Sequence, residues 1–176
     1  MLVAFIVSHH QGWTTSGGSF PLPGSRGTSS VDESGGAEIS GYPRLRDGDS
    51  FDFGQVRVRL HGIDAFEGSQ RCPHVNGGTF ACGDSGRDAL KALIDGREVF
   101  CQRRDTDTYG RMVARCSVAG RDLGRAMVEQ GWALAYRRYS SDYIRYEDEA
   151  RSAARGVWAA PGFTSPWKYR SDNRRR

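Results

Sequence analysis

The stretch Val56-Arg57-Val58-Arg59-Leu60-His61-Gly62-Ile63-Asp64-Ala65-Phe66-Glu67 decides how the rest of the chain reads. It begins as an alternating strand, with Val56 and Val58 on one face and Arg57 and Arg59 on the other. Where the alternation fails, two carboxylates, Asp64 and Glu67, stand three residues apart. Like charges repel, and carboxylates are rarely buried without a partner. A strand that leads an arginine and two acids toward one spot implies that something is held there.

Working outward, Asp47-Gly48 marks a turn into a short strand with Phe51 and Phe53 on one face, and Gly54-Gln55 turns the chain back into Val56. The two segments read as a hairpin. Residues 68–84 form a loop containing Gly and Cys. A helix follows, with Ser85 as its cap, Asp88 at the capping-box position and Leu90, Leu93 and Ile94 on its apolar face; Gly96 suits its end. Two strands, at about 97–104 and 111–118, flank the turn Asp107-Thr108-Tyr109-Gly110. A second helix is expected over about 122–130, a short extended piece over 132–136 and a third helix over about 141–155. This order of elements predicts an α+β fold, a small antiparallel sheet or barrel with helices packed outside it.

A chain of 176 residues with 38% hydrophobic and 26% charged residues has the makeup of one soluble globular domain. Residues 1–7 are apolar but too few to span a bilayer, and no other stretch is long and apolar enough to cross one. Residues 8–41 are rich in Ser and Gly, so 1–41 reads as a flexible leader with a possible signal-peptide remnant at its start. The domain is expected over 42–169, with 170–176 as a basic tail. That tail carries Arg170, Arg174, Arg175 and Arg176 against Asp172, which is +3 of the chain's formal +4. It reads as a solvated, disordered end.

Four cysteines add a constraint on compartment. Opposed residues of an antiparallel hairpin share a constant sum of residue numbers, and Cys101 with Cys116 has the same sum as Asp107 with Gly110. The two should face each other, which leaves Cys72 to pair with Cys82 across a short loop. Zinc is the rival reading, weakened because no Cys-x-x-Cys occurs and only His74 lies near the loop. Two disulfides imply an oxidising compartment, so export to a periplasm or to the extracellular space.

The motifs Asp47-Gly48-Asp49-Ser50, Arg59-Leu60 through Ile63-Asp64-Ala65-Phe66-Glu67, and Asp107-Thr108-Tyr109-Gly110-Arg111 together resemble the staphylococcal nuclease (thermonuclease) family. The resemblance covers roughly residues 44–169, with the motifs in family order. It implies an OB-fold five-stranded β-barrel with three flanking helices. It also implies a monomeric, calcium-dependent nuclease that cleaves DNA and RNA with little sequence specificity, single strands preferred, and leaves 3′-phosphate ends. By position, Asp49 and Asp64 would give carboxylate oxygens to Ca²⁺ and Ala65 its backbone carbonyl, the hard oxygen set that calcium prefers. Glu67 would be the general base, and Arg59 and Arg111 would grip the scissile phosphate. Tyr109 resembles the family tyrosine beside the terminal phosphate, while Tyr136 and Tyr139 would offer a surface for base stacking.

Two departures from the family pattern bear on activity. Ala65-Phe66 stands where the family usually has threonine and proline, so Glu67 is expected to be held less rigidly and activity to be reduced or altered. Thr108 replaces a frequent lysine, which weakens the phosphate grip. The alternative reading is an OB-type nucleic-acid-binding module that has lost catalysis; the retained Arg59, Glu67 and Arg111 speak against it.

Overall fold

The computed structural model describes residues 28–31 and 37–175. It is an α+β fold in which one curled, half-barrel sheet carries most of the strands, consistent with an OB-type barrel. The opening stretch lies near its middle. Strand Val56–Leu60 pairs antiparallel with Ser50–Phe53 on one side, Phe51 opposite Val58, and parallel with Met112–Val118 on the other, Val113 beside Arg59. Alternation holds where the core needs it: Val58 and Leu60 are buried, with Arg59 turned to the other face, while Val56 at the rim is exposed. Phe51 and Phe53 are both buried and meet edge to face. They pack with Val58, Leu60, Leu90, Val99 and Met127 in the main core.

This sheet has eight strands among the described residues, beyond the five expected of the barrel. One of the additions is Ala37–Gly41, which pairs with Val99–Thr106, Ile39 opposite Cys101. It lies inside the stretch read as leader, so ordered sheet begins before the expected boundary at residue 42. Ile39 explains this, since its side chain is buried in the main core. Residues 1–27 and 32–36 of that leader lie outside the described residues.

The hairpin of Val99–Thr106 and Met112–Val118 places Cys101 opposite Cys116, and both expected disulfides form, Cys101–Cys116 and Cys72–Cys82. The constant-sum register holds only as far as Ala114 opposite Arg103. A bulge between Val113 and Ala114 then shifts it by one residue, so Met112 faces Thr106. The expected turn closes with Gly110 N–H donating to the Asp107 carbonyl at 3.0 Å, and beside it the shifted register lets Asp107 N–H donate to the Arg111 carbonyl at 3.0 Å. Gly110 in this turn has φ +75°, a conformation that glycine adopts without steric cost.

Among the described residues four α-helices pack outside the sheet rather than three. Helix α1 spans Cys82–Ile94, α2 Leu123–Glu129, α3 Ile144–Ser152 and α4 Pro166–Asn173. Helix α1 starts before Ser85, whose hydroxyl instead donates back to the Ala81 carbonyl; the disulfide at Cys82 fixes this start. Asp122 caps α2 by accepting from Arg125 N–H at 3.0 Å. Helix α3 is shorter than its amphipathic pattern suggests: the chain turns through 141–143 before it, and the helix ends at Ser152. Helix α4 runs from the end of the expected domain into 170–173, ground read as a disordered tail.

Gly83 decides how α1 meets the opening stretch. A Cβ there would collide with the Glu67 carbonyl oxygen and lie 2.9 Å from Gly68 Cα, both fixed backbone. Only glycine allows the helix start to press against the Glu67 turn, and the neighbouring Cys82 bond leaves little room to retreat. Gly83→Ala should destabilise the fold by about 1–3 kcal/mol or more, measured by urea denaturation, and reduce turnover as Glu67 shifts.

Candidate active site

Asp49, Arg59, Asp64, Ala65 and Glu67 come together at one end of the sheet. Asp49 sits behind a turn in which Asp47 Oδ1 accepts from Asp49 N–H at 3.0 Å and from the Ser50 hydroxyl at 2.8 Å. Asp64 lies in the short strand Ile63–Ala65, paired antiparallel with Ala133–Ala135 so that Leu134 faces it. That second strand is itself locked, because buried Glu147 accepts from Ala135 N–H at 3.0 Å and pairs with Arg137 at 2.7 Å.

Arg59 joins the two buried acids. Its guanidinium donates to Asp49 Oδ1 at 3.0 Å and to Asp64 Oδ1 at 2.6 Å, while Asp49 Oδ2 accepts from Ala65 N–H at 3.0 Å. A second guanidinium, from Arg170 on α4, grips Asp64 through both oxygens at 3.0 and 2.7 Å and reaches Glu67 Oε1 at 2.7 Å. Three carboxylates thus share two guanidiniums, a local deficit of positive charge. Burial pushes the Asp49 carboxyl up to about 7, overcoming the downward pull of Arg59.

The sign of that shift has a consequence for stability. A carboxyl whose folded pKa exceeds its unfolded value stabilises the fold at low pH, and that contribution is lost as pH rises toward 7. In EDTA, the wild-type protein should therefore lose on the order of a few kcal/mol relative to Asp49→Asn between pH 4 and pH 8. Parallel denaturation curves for the two proteins at several pH values check this; parallel pH profiles would contradict it.

Phe66 corrects the expectation of a slack base. It is buried against Phe163, ring centroids 5.5 Å apart, in a second apolar cluster with Cys72, Cys82, Leu134 and Val157. Beyond it, Glu67 N–H donates to Gln70 Oε1 at 3.2 Å and the Glu67 carbonyl accepts from Gln70 N–H at 2.8 Å. Gln70, itself buried, donates through Nε2 to the Thr164 carbonyl at 2.6 Å. Burial and this bridge hold the Glu67 backbone where a proline ring is absent.

Arg111 does not join the carboxylate cluster. Its guanidinium pairs with Asp107 at 2.7 Å in its own turn and lies 5.5 Å from the centroid of the exposed Tyr109 ring. The Asp107 carboxyl is held below the usual range: burial raises it, but the Arg111 backbone and side-chain bonds and the Tyr109 N–H outweigh that. Tyr136 and Tyr139 do meet, centroids 4.9 Å apart, and the other partner of Tyr136 is Trp167 of α4, stacked at 5.6 Å with planes 7° apart.

The donors in this cluster are all oxygens, and the two deeply placed acids lack full neutralisation, which suits a hard divalent cation chemically. Among the described residues no three acids, histidines or cysteines are grouped as a ready metal cage. The reason is local, since Arg59 bridges Asp49 to Asp64 and Arg170 bridges Asp64 to Glu67.

Comparison with known proteins gives the chain a family. A family model described as staphylococcal nuclease homologue matches residues 57–160, more than half of the chain. Protein ParB of Escherichia coli is 36% identical over 159 residues, covering 79% of this chain and 84% of that protein. Micrococcal nuclease of Shigella flexneri is 33% identical over 144 residues, 72% of this chain and 77% of its own. An uncharacterized endonuclease of Escherichia coli O157:H7 is 32% identical over 145 residues, with 76% and 86% covered. The chain belongs to the staphylococcal nuclease homologue family and is a nuclease, a hydrolase of phosphodiester bonds.

Proposed function

We propose that the protein is an exported, calcium-dependent nuclease acting on DNA and RNA, single strands above all, that leaves 3′-phosphate ends. The observation that carries this reading is the cluster of Asp49, Arg59, Asp64 and Glu67, three acids and a guanidinium brought into one partly buried site. Asp49, Asp64 and the Ala65 carbonyl would hold calcium, whose charge supplies stabilisation to the phosphate oxygens. Glu67 accepts the proton of the attacking water, whose oxygen bonds to phosphorus as the P–O5′ bond breaks. Arg59 stabilises the negative charge that grows on the phosphate, and a guanidinium fork suits that task. Arg111 assists after exchanging Asp107 for phosphate; it immediately precedes the strand Met112–Val118, which runs parallel to that of Arg59. Exposed Tyr139 and Tyr109 offer ring faces to unpaired bases, with Tyr136 against Tyr139, which favours single strands.

Two disulfides support an oxidising compartment, and no helix among the described residues is long and apolar enough to cross a membrane. The protein acts as a monomer in this reading. The test is digestion of single-stranded DNA in calcium and in EDTA, with the new ends probed by a phosphatase specific for 3′-phosphate. Cleavage should require calcium and leave phosphatase-sensitive ends. Undiminished cleavage in EDTA would overturn the metal role, and 5′-phosphate ends would overturn the bond assignment.

A further inference from the structure

Helix α4 lies on the site in a way that neither the fold nor the hydrolytic chemistry requires. Asp64 is 0% exposed, and the outermost group above it is the Arg170 guanidinium, which engages both of its oxygens. The same guanidinium takes Glu67 at 2.7 Å. One turn earlier on the same helix face, Trp167 lies flat on Tyr136. One short helix therefore covers an acid proposed for the cation, the acid proposed as base and a ring proposed for stacking. Its hold is distributed: the Gln70 bond to Thr164 leads into it, Pro166 is buried, and the Tyr169 hydroxyl meets Ser69 at 3.1 Å.

We propose that α4 is an internal competitor for this site. Arg170 occupies both oxygens of Asp64, the acid that a divalent cation would take, and ties up the base Glu67, while Trp167 covers a face of Tyr136 that a nucleobase would use. This inference rests on the calcium reading above. Its physical basis is twofold. A fully buried carboxylate with both oxygens on one guanidinium cannot coordinate a cation until that guanidinium leaves. Exchange is also favourable in charge, because three carboxylates with two guanidiniums carry a net negative charge that a divalent ion in place of Arg170 removes. Calcium binding is then coupled to undocking of α4, and the apparent affinity is the intrinsic one multiplied by the fraction of molecules already undocked.

The test uses the full chain and calcium alone, without nucleic acid. Amide hydrogen exchange across 161–175 should accelerate on adding calcium, while exchange in α1 stays constant. Calorimetry should give Arg170→Ala a calcium affinity at least about tenfold above wild type. Trp167→Ala should also bind calcium more tightly, and it removes a docking contact without altering charge beside the acids. Equal affinities in all three proteins would overturn the proposal while leaving calcium binding intact. Tighter binding by Arg170→Ala alone, with α4 exchange unchanged by calcium, would reduce the effect to lost charge and overturn it too. If no variant binds calcium, the metal reading itself fails and the competition falls with it.

Discussion

Replacing Glu67 with glutamine should lower kcat on single-stranded DNA by about 10²- to 10⁴-fold in the presence of calcium, the usual range for loss of a positioned general base. Glutamine keeps the size and shape of the side chain but has no carboxylate to take the water proton. The fold should survive, because the Glu67 side chain is 38% exposed, its backbone is anchored to Gln70, and glutamine keeps an oxygen that can accept from Arg170. An unchanged urea midpoint alongside the lost turnover separates chemistry from stability. Activity within about threefold of wild type would assign the proton to another acceptor.

Phe66→Ala should cost about 3–5 kcal/mol of stability, the range for truncating a buried aromatic. Phe66 is 1% exposed and is packed edge to face on Phe163, which in turn meets Trp158 with centroids 4.9 Å apart. Its loss would open a cavity between the Glu67 turn, the Cys72–Cys82 bond and the segment leading to α4. Turnover at a temperature where the variant stays folded should also drop, since Glu67 loses the support directly beneath it. Urea denaturation gives the first number and steady-state kinetics the second. A loss under about 1 kcal/mol would mean that the base owes its placement to the Gln70 bonds alone.

Much of this was legible in the residues, for reasons that differ from element to element. Period-2 alternation marked Val56–Leu60, which buries Val58 and Leu60 on one face, and Ser50–Phe53, where the aromatic pair enters the core although Ser50 and Asp52 are buried as well. The cysteine pairing followed from hairpin geometry, and the acids and Arg59 from motif order. The bulge at Val113 and Ala114 left no mark, since a single extra residue changes register without changing composition. Phe66 was misjudged because a missing proline is visible in sequence, whereas the pocket that receives Phe66 is built by Phe163 almost a hundred residues on.

Helix α4 was the largest omission. Ser165-Pro166 is a helix-start signal, Pro at the first helical position, but the arginines that follow suggested a solvated end. What makes Arg170 part of the site is contact with Asp64, 106 residues away in the chain, which no local pattern encodes. Gly83 and Gln70 were missed for the same reason. Their roles depend on the Glu67 backbone arriving beside them, which the sequence around each does not announce.

The bulge between Val113 and Ala114 also makes the hairpin modular. On its far side the Cys101–Cys116 bond fixes which residues face each other; on its near side the Asp107–Arg111 turn does so independently. Without the extra residue, a one-step slip would send each side chain near the turn to the opposite face. The bulge works as a clutch between the two halves. The turn that carries Tyr109 and Arg111 can change in length or sequence, and so in how it meets substrate, without dragging the disulfide or the core behind it. Variation among relatives would be expected to collect on the turn side of that clutch.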